Sequence, residues 1–200
     1  IGVPSNIDGD TPDAKMEQFA VILEQQLERA YPTTSFAAKL DRAEKSPVQA
    51  KTDIVHFLDN NPGFQLDRFR VEHFIAENQN ALEGIENKAT MLTNLKSVQR
   101  VFKLSPTFQA VNALLAHKID SAQQIYFMGQ SQFVRALANS GINKIEARKL
   151  YHKAENTYAL ALTLFGDYNL AVSGVPPFAV PSQTPDSATM AKIVTLPNLQ

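Results

Sequence analysis

The side chains with the widest chemical repertoire in this chain are four histidines, His56, His73, His117 and His152. A helical zinc site needs two imidazoles at i and i+4, leaving the same face, and no two of these histidines have that spacing. His73 and Glu77 do stand four apart, with Glu72 beside the first. That pair is either half of a metal site, an acid–base couple, or a solvated helix pair worth about 0.2–0.5 kcal/mol; the last is the commonest arrangement. An unperturbed imidazole titrates near neutrality, so each histidine is also a candidate pH sensor.

Nucleophilic and phosphate chemistry has less to stand on. Ser131 and Ser140 lie outside any GxSxG context, and the glycines form neither a GxGxxG nor a P-loop pattern. Glu24, Glu28, Asp41 and Glu44 sit among lysines and arginines and read as solvated, mixed-charge helix faces. No catalytic, cofactor-binding or metal-ligating residue is assigned, and the expectation is that the chain is not an enzyme. Lys96, Arg100 and Lys103 follow one another at steps of four and three. They form either an anion or nucleic-acid stripe, or the polar side of a helix whose other side carries Leu95, Val98 and Phe102. With no flanking basic cluster or aromatic platform, the second is favoured. Tyr126, Phe127 and Met128 are expected to be core anchors of a short helix rather than the wall of a cofactor pocket. The stretch LAVSGVPPFAVP, residues 170–181, is too apolar to be left free. It is expected against the helical body or against another domain or subunit, with Val175, Pro176, Pro177, Phe178 and Val180 as interface candidates.

Composition narrows the classes further. Hydrophobic residues make up 44% and charged residues 20%, which is ordinary globular chemistry. A net charge of −1 offers no field to draw the chain to nucleic acid or to an anionic membrane surface. There is no cysteine, hence no disulfide framework, thiolate metal site or cysteine nucleophile. The most apolar run, 158–165, is too short to span a bilayer. The opening Ile-Gly-Val-Pro has no leader pattern and reads as the start of a processed product or fragment.

The elements that must position these groups read as helix after helix. Thr11-Pro12-Asp13 opens the first with a cap, a proline at the first helical position and an acid at the positive end of the dipole. Phe19, Ile22, Leu23, Leu27 and Ala30 give it one apolar face, and Tyr31-Pro32 ends it. A short helix is expected over 35–43, another opening at Ser46-Pro47, a turn at Asn60-Asn61-Pro62-Gly63, and a helix over 67–82. Leu92, Leu95, Val98 and Phe102 stack along the next, and Ser105-Pro106 opens a helix with Phe108, Val111, Leu114 and Leu115 as its stripe. Asp120 is the expected cap of a short helix ended by Gly129, with Gln123 three residues on. A further short helix covers 131–138, and the longest covers 144–165. Five prolines after Val172 forbid a long helix across most of the remainder. The expected fold is all-α: an irregular multi-helix bundle with a proline-rich C-terminal arm. Its expected divisions are a lead-in over 1–10, a helical domain over 11–171 with a candidate lobe boundary near 60–63, and the arm over 172–200.

Three phrases follow one another in the middle of the chain: LKSVQRVFKLSP at 95–106, VNALLA at 111–116 and DSAQQIYFMG at 120–129. Together they resemble the helical region of the A component of bacterial toxin-complex (Tc) insecticidal toxins, the part related to the Salmonella virulence plasmid A protein. The resemblance is strongest over 92–168. It continues more weakly back through Asn61-Pro62-Gly63-Phe64 and forward into Pro176-Pro177. It implies a structural helical-shell segment of a secreted or bacterial cell-surface toxin subunit acting on host cells. Such subunits are pentamers whose shell surrounds a channel that delivers a toxic enzyme carried by partner components. The implied partners are the rest of the parent subunit, its copies and other toxin components, with no nucleic acid and no membrane insertion by this segment. The chain is much shorter than such a subunit and has neither channel helices nor receptor-binding β domains. The alternative reading is a binding module for a host receptor, a glycan or a partner toxin component.

Overall fold

The computed structural model describes residues 3, 4 and 6–173, apart from the side chain of Ser173. The arm prolines and the interface candidates Val175, Pro176, Pro177, Phe178 and Val180 lie outside the described residues. Within them the chain is all-α, with nine helices and no strand.

The first compact unit runs to Leu95 and takes in Pro106–Phe108. Helix α1, Pro12–Ala30, opens as expected: Thr11 accepts a hydrogen bond from the Ala14 amide on its Oγ1 at 3.1 Å, and proline fills the first position. Tyr31 does not separate two distant helices; it is the single-residue hinge into α2, Pro32–Arg42. Lys51 donates its ammonium to the carbonyls of Asp41 and Ala43 at 2.8 and 2.7 Å, satisfying the free carbonyl end of α2. That use of Lys51 helps explain why α3 is Lys51–Asn60 and does not begin at Ser46-Pro47. Ser46 instead closes a local turn by accepting from the Val48 amide, and Ala50 enters α3 with a φ of 52°.

The turn after α3 lies at the surface and leads Phe64 and Leu66 into the core of this unit. The Asn61 amide donates to the carbonyls of Phe57 and Ala81 at 2.8 and 3.0 Å. Phe64 then packs edge-on against Phe57 and Phe74, with both centroid separations at 5.1 Å. Thr33, buried on α2, accepts the Leu66 amide at 2.9 Å and fixes the depth of this segment. Helix α4 is Val71–Glu77, shorter than the expected 67–82, because Asn78 caps it by donating to the Phe74 carbonyl. Gly84 has a φ of +77°, and a Cβ there would come within 2.7 Å of the His56 ring. Only glycine fits that approach.

Helix α5, Lys88–Leu104, contributes Leu95 and the residues before it to the first unit and the rest to the second. Helix α6, Phe108–Ala116, starts two residues after Ser105-Pro106, with buried Ala110, Val111, Ala113 and Leu114. Helix α7, Ala122–Met128, is capped by Ser121 rather than Asp120: Ser121 Oγ accepts from the Gln124 amide, and Gln124 Oε1 accepts from the Asp120 amide. The capping-box logic holds one residue further along. Gly129, at a φ of 76°, joins α7 to α8, Gln130–Ala136. Helix α9, Lys144–Ser173, is longer than the expected 144–165 and packs on α7 and α8. Ile125, Phe133, Leu137, Ala147 and Ala154 form the dry core of this contact.

Candidate functional site

The expected charged sites resolve into local structure. His73 Nδ1 and Glu77 Oε2 are 3.3 Å apart, and both side chains are mostly exposed, which is the solvated pair. Arg100 is fully engaged: its guanidinium donates to Asp120 Oδ2 at 2.7 Å, to the Asp120 carbonyl at 3.0 Å and to Ser97 Oγ at 3.0 Å. Lys96 and Lys103 also have partners, so the three do not form an open basic stripe. Arg100, with Ser97 donating to the same Asp120 carboxylate, holds the loop before α7 against the second half of α5. His56 sits between the Glu83 carbonyl at 3.1 Å and the Asn60 amide at 2.9 Å. His152 links Gln130 and Glu155 at 3.0 and 3.1 Å, and His117 is exposed just after α6. No two histidines meet. Among the described residues no three metal-ligating side chains converge.

The surface that stands out is apolar and helical. Helix α1 has no buried residue. Its apolar face is largely open: Phe19 and Ile22 are half-buried, Leu23 is 41% exposed and Leu27 57%, with Met16 beside them. Helix α1 packs on α2 and shows much of its apolar stripe to solvent. What ties it down is polar. Lys39 of α2 reaches Glu24 at 2.9 Å and Glu28 at 3.3 Å, and Glu28 also accepts the Phe108 amide. Burial lowers the affinity of the Lys39 amine for its proton, but hydrogen bonds and charge from Glu24 and Glu28 outweigh it and raise its pKa above 10.5.

Helix α9 carries the larger open surface. Ala147, Tyr151, Ala154, Tyr158, Ala161, Phe165, Tyr168 and Val172 alternate at steps of four and three, an unbroken heptad seam. The first three are buried, whereas Phe165 is 50% exposed and Val172 65%. One continuous stripe is thus covered over its first half and bare over its second. Leu160, Leu162 and Leu170 are exposed on other sides of the same turns, and Asp167 is the one Asp, Glu, Lys, Arg or His from 159 to 173. A helix that is apolar all round belongs in an interior. None in the described residues is long and apolar enough to cross a membrane.

Tyr126 and Phe127 extend this surface. They were expected in the core; they are exposed, and Ile125 is the buried anchor of α7. With seven residues, α7 has room for one inward side, taken by Ala122 and Ile125. Tyr126, Phe127 and Tyr158 stack on one another with centroids 5.1–5.6 Å apart, an aromatic platform at the point where the α9 seam emerges from its cover. Sequence periodicity contained the α9 signal, since the heptad is legible through Val172. It could not say where the intramolecular partner ends. No family model, curated protein or solved structure matches this chain.

Proposed function

We propose that this chain is a structural helical-shell segment of a secreted, Tc-like toxin A subunit, working as a scaffold in a pentameric machine that delivers a toxic enzyme into host cells. The observation that supports it most is the α9 seam, buried from Ala147 to Ala154 and bare from Phe165 to Val172. A scaffold segment needs a stiff helical body with apolar faces reserved for neighbouring segments, and α1 and α9 supply two. The resemblance of residues 92–168 to the helical region of such subunits supplies the identity of those neighbours. The work assigned to the chain is mechanical, to hold its own core and to present those faces. Light scattering gives the test. The chain is expected to be small alone and to enter a stable larger assembly with the remaining segments of the toxin subunit. A mass indifferent to those segments would remove the scaffold reading.

The aromatic platform favours the second reading, a binding module. Exposed aromatic faces stack on sugar rings and proline-rich peptides alike. Under that reading, an isolated chain would capture a soluble glycan or peptide, and replacing Phe127 and Tyr158 by alanine would abolish capture.

A further inference from the structure

Between α8 and the start of α9 lies a cleft of about 530 Å³ whose charged lining is entirely cationic: Arg135, Lys144 and Arg148. Val134, Ala138 and buried Ile142 make its apolar walls, and Ser131 and Asn143 add polar groups at its rim. Asn143 Oδ1 accepts the amides of Ile145 and Glu146, which leaves the Nδ2 as a donor. Among the described residues, none of the three cations has a carboxylate partner. Glu146, the acid nearest in sequence, is turned to the Asn143 amide.

This arrangement opposes the rules of helix stability. Lys144 and Arg148 are like charges at i and i+4, which repel. Lys144 sits in the first turn of a thirty-residue helix, where the macrodipole favours acids, and Arg148 follows one turn later. Arg135 adds a third positive charge to the same cleft. Departures of this kind, with no compensating contact, mark places where a bound partner supplies the missing interaction. We infer that the cleft formed by Arg135, Lys144 and Arg148 binds an oxyanion, a phosphate or sulfate monoester carried on a compact carbon body. The guanidinium forks of Arg135 and Arg148 suit such a group, and the apolar walls suit its carbon portion. The volume falls in the range of small-ligand sites.

The test is a titration of the 200-residue chain, followed by amide NMR, with glucose 6-phosphate, glucose 6-sulfate and neutral glucose. Vesicles of phosphatidylcholine, plain or doped with phosphatidic acid, form a second arm. Shifts centred on Ser131, Arg135, Lys144 and Arg148 with the esters and not with glucose would support a soluble ligand. Binding to doped vesicles alone, lost in the Arg148 variant below, would support the same site taking a lipid headgroup. Arg148→Gln is expected to weaken binding about tenfold or more, and Arg148→Lys, which keeps the charge but loses the fork, to weaken it by a smaller factor. Arg148→Gln is also expected to raise the melting temperature of the free chain by relieving repulsion. No response to any probe, an undiminished response in Arg148→Gln, or a fall in its melting temperature would each overturn the inference.

Discussion

Ile125 is fully buried and Phe127, two residues on, is 67% exposed, although phenylalanine is the larger apolar side chain. Position on the helix decides burial here, not hydrophobicity. Ile125→Ala should cost about 2–5 kcal/mol by leaving a cavity between α7 and α9. Phe127→Ala should cost about 1 kcal/mol or less, the value of its ring contacts with Tyr126 and Tyr158. Urea unfolding of the two variants checks this, and equal losses would place Phe127 in the core. Residue-scale features were legible in part. The Thr11 cap and the solvated His73–Glu77 pair could be read from spacing alone, because both are local. The engagement of Arg100 by Asp120 could not, since twenty residues separate them and no local pattern announces the loop that brings them together.

At the scale of elements, helix α1 has the most exposed construction. Its nineteen residues contain no buried side chain, and packing, not propensity, supplies most helix stability in proteins. The Lys39 link to Glu24 and Glu28 therefore matters more for α1 than a surface ion pair usually does. Lys39→Met should lower the stability of α1 by about 0.5–1 kcal/mol near neutral pH, read as faster amide exchange across the helix. The pH dependence has a defined sign. The folded-state pKa of Lys39 is raised, so its contribution is complete below the unfolded value of 10.5 and is lost as pH rises through the folded value. Thermal melts of wild type and variant should thus differ at pH 7–10 and converge at higher pH; a difference that persists would assign the effect to packing.

The element boundaries show what sequence can and cannot deliver. Breakers such as Pro12, Gly129 and Asn143 lie where helices begin or end, because backbone geometry acts locally. Ser46-Pro47 and Ser105-Pro106 carry the same start signal, yet α3 and α6 begin a few residues later. In the first case Ser46 closes a local turn with the Val48 amide, and Ala50 takes a left-handed conformation before the helix starts. The apolar face of α1 was legible as a stripe, but periodicity reports that a face exists and not that anything in the chain covers it.

Across the whole molecule, the two faces left bare by α1 and α9 carry the account. They lie on a chain with a net charge of −1, so electrostatic steering contributes little to any association, and apolar burial must supply the free energy. The absence of cysteine in the sequence makes these faces directly measurable. A single cysteine placed as Leu27→Cys or as Phe165→Cys reports local accessibility through its rate of reaction with a thiol reagent. Val134→Cys, in the cationic cleft and on neither face, serves as a comparison. The decisive measurement is that rate in the isolated chain and again in the proposed assembly with the remaining segments of its parent subunit. The account predicts fast labelling at positions 27 and 165 in the isolated chain and at least about tenfold protection in the assembly. Unchanged rates at both positions in the assembled subunit would contradict it.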